Sequence, residues 1–114
     1  MPVSIAGDLI RGHTDAIILA RLLRGDSYGY EINKVIATLS NNRFELKEAT
    51  LYTAFKRLDE LGYIASYWGD SGAGARRRYY TITSAGREAC HRLLREWQET
   101  KEIMDKLLEV EEKL

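Results

Sequence analysis

The sequence predicts a mainly α chain with a small β-hairpin: a winged helix-turn-helix domain over residues 1–83, then a long C-terminal helix over residues 84–114. Three observations predict it. The run from Glu48 to Gly62 repeats apolar residues at helical spacing and leaves a polar face opposite. Two stretches of strand formers follow, separated by a glycine-rich turn and closed by three arginines. The chain then ends in a long apolar seam at helical spacing.

The first helix is expected over residues 8–23. Ala16-Ile17-Ile18-Leu19-Ala20 with Leu22 and Leu23 covers more than one stripe, so the helix is buried on two sides. A domain this small covers one side; the other is expected to meet a second chain or a ligand. Gly25-Asp26-Ser27 ends that helix and caps a second over residues 28–39, with Ile32, Val35, Ile36 and Leu39 as its core positions. Residues 40–45 read as a loop. Lys47 lacks the short acceptor side chain of an N-cap, so the pattern leaves the start of the third helix open by about a residue or two.

In the third helix Leu51, Ala54, Phe55, Leu58 and Leu61 share the buried side. Thr50, Thr53, Lys56 and Arg57 face outward, with Tyr52 beside them. Hydroxyls, an amine and a guanidinium suit phosphates and base edges. Gly62 ends the helix as a left-handed cap. Residues 63–68 and 78–83 form the hairpin strands, and residues 69–75 its turn. In a winged helix one helix enters the major groove while the hairpin follows the backbone or minor groove. Arg76, Arg77 and Arg78 at the hairpin base are therefore expected to touch double-stranded DNA, two of the three on one side by strand alternation. Trp68 is expected to anchor the core. Tyr79 and Tyr80 are expected to pack, with one hydroxyl outward.

The last helix follows Thr83 or Ser84, either an acceptable N-cap. Continued to about residue 112, it would be roughly 40 Å long. Cys90, Leu93, Trp97, Thr100, Met104, Leu107 and Leu114 lie on or near a heptad seam, flanked by Leu94, Ile103, Leu108 and Val110. An isolated domain has nothing to cover that seam. A homodimer through Leu93, Trp97, Met104, Leu107 and Leu108 is the economical expectation.

Composition bounds the rest. With 45% hydrophobic residues the 114-residue chain folds rather than remaining disordered. No apolar run approaches the ~20 residues of a membrane span, and residues 1–8 lack the features of a signal peptide. The lone Cys90 excludes an internal disulfide and a cysteine-rich zinc site. A cytoplasmic protein without cofactor or metal is expected. Two histidines, one cysteine and no nucleophile–base–acid set argue against an enzyme. Zero net charge argues against indiscriminate nucleic-acid binding, but its distribution is uneven. Residues 76–87 carry Arg76, Arg77, Arg78 and Arg87 with no acid, whereas residues 99–113 hold six acids against three lysines.

The chain also resembles a known family. Gly25, Tyr28-Gly29-Tyr30-Glu31-Ile32, Thr50-Leu51-Tyr52, Arg57-Leu58, Trp68, Arg78-Tyr79-Tyr80 and Thr83-x-x-Gly86 resemble the PadR-like transcriptional regulators. The short length and single terminal helix look like its small subfamily. Glu48-Ala49-Thr50-Leu51-Tyr52-Thr53, Ser66-Tyr67-Trp68-Gly69-Asp70 and Trp97 look most like multidrug-binding repressors of lactic acid bacteria. Ala49 and Thr53 depart from the broader family, which often has Gly and Pro there.

That resemblance implies a repressor whose operator binding is weakened by planar aromatic small molecules at the dimer interface. Paired Trp97 indoles would sandwich the ligand, since an indole face stacks readily and attracts cations. Leu9, His13, Asp15, Ala16 and Leu19 would form one wall and Leu93, Leu94 and Lys101 the other. Asp15 would counter a cationic ligand or be merely solvated, and the Lys101 charge would disfavour cations. The residues alone favour Trp97 as a packing residue of a dimer core; it is the resemblance that turns it into a ligand residue. Two alternatives stay open: a PadR-like repressor without a drug ligand, and a winged-helix module that binds protein through its acidic helix.

Overall fold

The computed structural model describes residues 5–70 and 76–110. In chain order the elements are α1 (Ile5–Arg11), α2 (Thr14–Leu23), β1 (Ser27–Tyr28), α3 (Gly29–Leu39), α4 (Glu48–Glu60), β2 (Ile64–Asp70), β3 (Arg76–Ile82) and α5 (Ser84–Leu107). The three strands form one antiparallel sheet in the order β1-β3-β2. The fold is the expected winged helix with a long terminal helix.

The single first helix expected over residues 8–23 is two helices. Gly12 is a poor helix former, and the Thr14 hydroxyl donates to the Arg11 carbonyl at 2.6 Å, closing a turn at Gly12-His13. The helix expected over residues 28–39, here α3, is preceded by a short strand that the sequence pattern does not reveal. Ser27 and Tyr28 pair with Tyr80 and Tyr79, and the Ser27 hydroxyl reaches Glu31 Oε1 at 2.5 Å.

Core formation follows the helical periods, with exceptions at the ends. Ile18, Leu19 and Leu22 of α2, Ile32 and Ile36 of α3, and Leu51, Ala54, Phe55 and Leu58 of α4 are buried together. Leu39 and Leu61 are exposed instead, because each lies in the last turn or at the cap, where the chain has already left the core. Phe44 and Leu46 add buried side chains from the connector, which Asn33 fixes by bonding both the amide and the carbonyl of Leu46.

Gly62 takes φ 78° and ends α4 as expected, the Gly62 amide donating to Asp59 and the Tyr63 amide to Leu58. The chain thereby turns directly into β2. Tyr80 stacks on Phe55 with ring centroids 3.9 Å apart, locking the sheet onto α4. The hairpin strands are longer than expected, running to Asp70 and starting at Arg76; the turn residues 71–75 lie outside the described residues.

Thr83 caps α5, accepting from the Gly86 amide at 3.0 Å. The boundary expected at residue 83 does not separate two cores. Gly86, Ala89 and Cys90 are buried in the winged-helix core, and Leu93 packs against it. A Cβ at position 86 would collide with the Tyr63 carbonyl, so glycine permits this close approach. The described helix ends at Leu107, short of residue 112, and Leu114 lies outside the described residues.

Candidate nucleic-acid interface and adjoining cleft

The polar face of α4 is open. Tyr52, Thr53 and Lys56 are exposed and Thr50 is half-buried, while the opposite face is sealed. Tyr52 meets Phe55 at a steep angle, with centroids 5.8 Å apart, and lays its hydroxyl end over Gly29 of α3, leaving about half of the residue exposed. Arg57 does not project freely as expected. Asp15 of α2 takes its guanidinium through both Nε, at 3.2 Å, and Nη2. This fork pairing raises the Arg57 pKa, through the hydrogen bond first and the charge of Asp15 as well, against an opposing effect of burial.

The wing follows α4 directly in the chain. Cross-strand partners share a side, so Ile64 with Ile82, Ser66 with Tyr80, Trp68 with Arg78 and Asp70 with Arg76 lie on one face of the hairpin. At its inner end this face is buried against α4; at its outer end it carries exposed basic and aromatic groups. Trp68 is therefore not a core anchor. It is 57% exposed, with Arg76 and Arg78 guanidiniums 5.4 and 5.9 Å from its ring centre. The core ends at Tyr80 on this face, one cross-strand step before Trp68. Arg78 also donates to the Ser66 hydroxyl from Nε and Nη2.

Arg77 lies on the other face, over Tyr28 at 4.6 Å. There Tyr67 and Tyr79 stack, and the Tyr67 hydroxyl donates to Asp26 at 2.7 Å, a bond that raises its pKa. Tyr80 is buried and its neighbour Tyr79 half-buried; burial pushes the Tyr80 phenol up.

A cleft of about 330 Å3 opens between the α1–α2 turn and α5. It is lined by His13, Asp15 and Ala16 on one side, Leu93 and Trp97 on the other, with Arg57 reaching in from α4. His13 meets the Trp97 ring edge-on at 5.1 Å. Trp97 is 46% exposed.

Other residues expected here lie elsewhere. Leu19 is fully buried, because α2 turns it into the core, and offers no ligand surface. Leu9, Leu94 and Lys101 are exposed but do not line the cleft. Arg11, Thr14, Glu96 and Thr100 do line it, and local pattern does not single them out as ligand residues. The helical position of Glu96 and Thr100, beside and one turn from Trp97, is the available signal for those two. Beyond the cleft Met104, Leu107 and Leu108 are exposed.

A second cleft of about 380 Å3 lies against the start of α4, between Arg11, Thr14, Ala49, Thr50, Thr53 and Arg57. Among the described residues, no group of three or more His, Cys, Asp or Glu is placed to hold a metal ion, and no helix is long and apolar enough to cross a membrane.

Residues 18–92 match the model of the transcriptional regulator PadR-like family. The chain belongs to the PadR-like family. A transcriptional regulator from Clostridium thermocellum is 44% identical, with a TM-score of 0.83, the match covering 93% of this chain and all of that one, 100%. A PadR family transcription regulator from Clostridium difficile is 35% identical with a TM-score of 0.74, covering 85% of this chain and 99% of its own. An uncharacterized protein of Lysinibacillus sphaericus is 48% identical over 105 residues, 92% of this chain and 96% of the relative. The fold and the transcription-regulator family are thus shared along nearly the whole PadR-like chain.

Proposed function

We propose that this PadR-like chain is a homodimeric, sequence-specific DNA-binding repressor that responds to flat aromatic ligands. In this reading α4 enters the major groove. Thr53 and Lys56 meet base edges, with Thr50 and Tyr52 beside them, while Arg76 and Arg78 hold phosphates or enter the minor groove. The observation that carries it is the continuity of one surface. The hairpin face that packs on α4 through Tyr80 and Phe55 runs outward into exposed Trp68, Arg76 and Arg78, so a basic, aromatic wing tip adjoins the helix whose polar face is open. Arg77, held over Tyr28, contributes less.

The dimer forms through the exposed distal seam of α5, including Trp97, Met104, Leu107 and Leu108. The cleft beside Trp97 is then one half of a slot shared by two protomers. Leu93, His13, Ala16 and Trp97 supply its apolar and aromatic walls. The expected stoichiometry is one planar ligand per dimer. By linkage, a ligand alters DNA affinity only if it binds two dimer arrangements unequally.

The test has two arms. Selection of bound duplexes from a random-sequence library should yield a preferred operator. Lys56→Ala should alter that preference as well as the affinity. Separately, planar aromatic dyes should quench Trp97, and Trp97→Ala should lose most dye affinity while still binding the operator. Absence of any enriched duplex would defeat the DNA reading; unchanged dye binding by Trp97→Ala would defeat the ligand reading alone.

A further inference from the structure

Arg57 joins the two surfaces just described. It lies on α4 between Thr53 and Leu58, facing the second cleft beside Thr50 and Thr53. It also lines the Trp97 cleft, where it is the only lining residue from α4. Its guanidinium is forked onto Asp15, which lies 42 residues earlier in the first turn of α2 and lines the same cleft. A fork pairing fixes direction as well as distance. The Asp15–Arg57 pair thus holds the last turn of α4 against the wall of the cleft.

The charges around Trp97 make this pair sensitive to the charge of an occupant. Two acids face the cleft, Asp15 from α2 and Glu96 from α5; Arg11 and Arg57 are its two arginines. Arg11 is paired with Asp8. Glu96 is held only loosely, 4.0 Å from Arg92. A cation seated on the indole therefore finds Glu96 nearly free and competes with Arg57 for Asp15. A neutral ring of the same shape fills the same space and offers Asp15 nothing.

We propose that the Asp15–Arg57 pair carries the charge of the slot's occupant to the reading helix. Cationic planar aromatics draw Asp15 away from Arg57, loosen the last turn of α4 from the first turn of α2 and weaken operator binding. Neutral planar aromatics bind beside Trp97 and leave the pair, and DNA affinity, largely unchanged. This inference rests on the DNA and ligand readings above and adds the ligand charge as the deciding variable.

The test uses two ligands with one ring system: 1-pyrenemethylamine, cationic at neutral pH, and 1-pyrenemethanol, which is neutral. Each is titrated into the full chain with and without a duplex selected by the parent protein. Trp97 quenching reports ligand binding, and fluorescence anisotropy of a labelled duplex reports DNA affinity. In the parent both pyrenes should quench Trp97. The amine should weaken duplex affinity on the order of fivefold or more, within the usual range of coupling between sites, and the alcohol by much less.

In Asp15→Asn and Arg57→Gln the alcohol should still quench, the amine should need a higher concentration to saturate Asp15→Asn, and at saturation the amine should act no more strongly than the alcohol. Asp15→Glu, which retains the carboxylate, should recover the charge-dependent response and so exclude general damage to the fold. Trp97→Ala corrects for any direct action of the amine on DNA. Equal effects of both pyrenes on the parent, or a parent-like response in Asp15→Asn, would overturn the proposal while leaving ligand and DNA binding intact. Loss of quenching or of DNA binding in the parent itself would instead overturn the underlying functional reading, and this proposal with it.

Discussion

The two ends of α5 obey different rules although they belong to one unbroken helix. Its first turns carry Gly86, Ala89 and Cys90 into the winged-helix core, and Leu93 packs on the edge of that core. Its distal turns carry Trp97, Ile103, Met104 and Leu107 exposed, followed by the exposed cap Leu108. The proximal turns are satisfied by their own chain: α2 crosses them, and Gly86 closes against Tyr63. Of the described distal apolar residues Trp97 meets only the edge of His13, and Ile103, Met104 and Leu107 are exposed. A row of large apolar side chains at helical spacing, bare on an otherwise well-packed chain, is the observation behind the proposed dimer. The proximal turns are covered by their own domain, and in that proposal a second copy covers the distal ones.

Breaking the sealed end should have the largest effect on stability. Phe55→Ala removes the ring beneath Tyr80 and opens a cavity where the sheet meets α4. Urea unfolding should show a loss of about 3–5 kcal/mol. Leu107→Asp attacks the bare end instead. It should leave the helical circular dichroism of the domain largely intact but weaken dimerisation by about 3 kcal/mol or more, because the new carboxylate would be buried unpaired in an apolar seam. Sedimentation measured over a range of concentrations separates the two effects.

Smaller changes sharpen the comparison at the DNA end. Arg76→Ala and Arg78→Ala should weaken binding across sequences and reduce the salt dependence by about one unit of slope for each phosphate left without its arginine. Arg77→Ala, on the other hairpin face, should change both less. Equal effects of all three would contradict the assignment of faces.

The least disruptive probe is Cys90. It is fully buried, and burial pushes its thiol pKa up. The protonated thiol is thus favoured in the folded state. The associated stability is fully present below the unfolded-state thiol pKa and is lost as pH rises through the folded-state value. At mildly alkaline pH a thiol reagent should react slowly with the native chain and rapidly once urea is added. Fast native reaction would mean that the proximal end of α5 opens.

The sequence disclosed the fold wherever periodicity spoke over several turns. The α4 run, the Gly62 cap, the hairpin and the Thr83 cap are all legible in local pattern. What it concealed depends on distant parts meeting. Ser27 and Tyr28 become a strand only because β3 lies beside them. Trp68 looks like a core residue by type, yet its register opposite Arg78 puts it past the buried end of the sheet. Arg57 has the spacing of an outward α4 residue, and nothing local signals that Asp15 will take it. Of the expected ligand wall, His13, Asp15, Ala16, Leu93 and Trp97 meet in the cleft. Leu19 does not, since a helix apolar on two sides does not say which side the core will claim.

Sedimentation equilibrium of the parent protein tests the two-ended account of α5 most directly. At micromolar concentration a particle of twice the 13.1 kDa chain mass is expected. A particle of 13.1 kDa at tens of micromolar, with helix content intact, would contradict it.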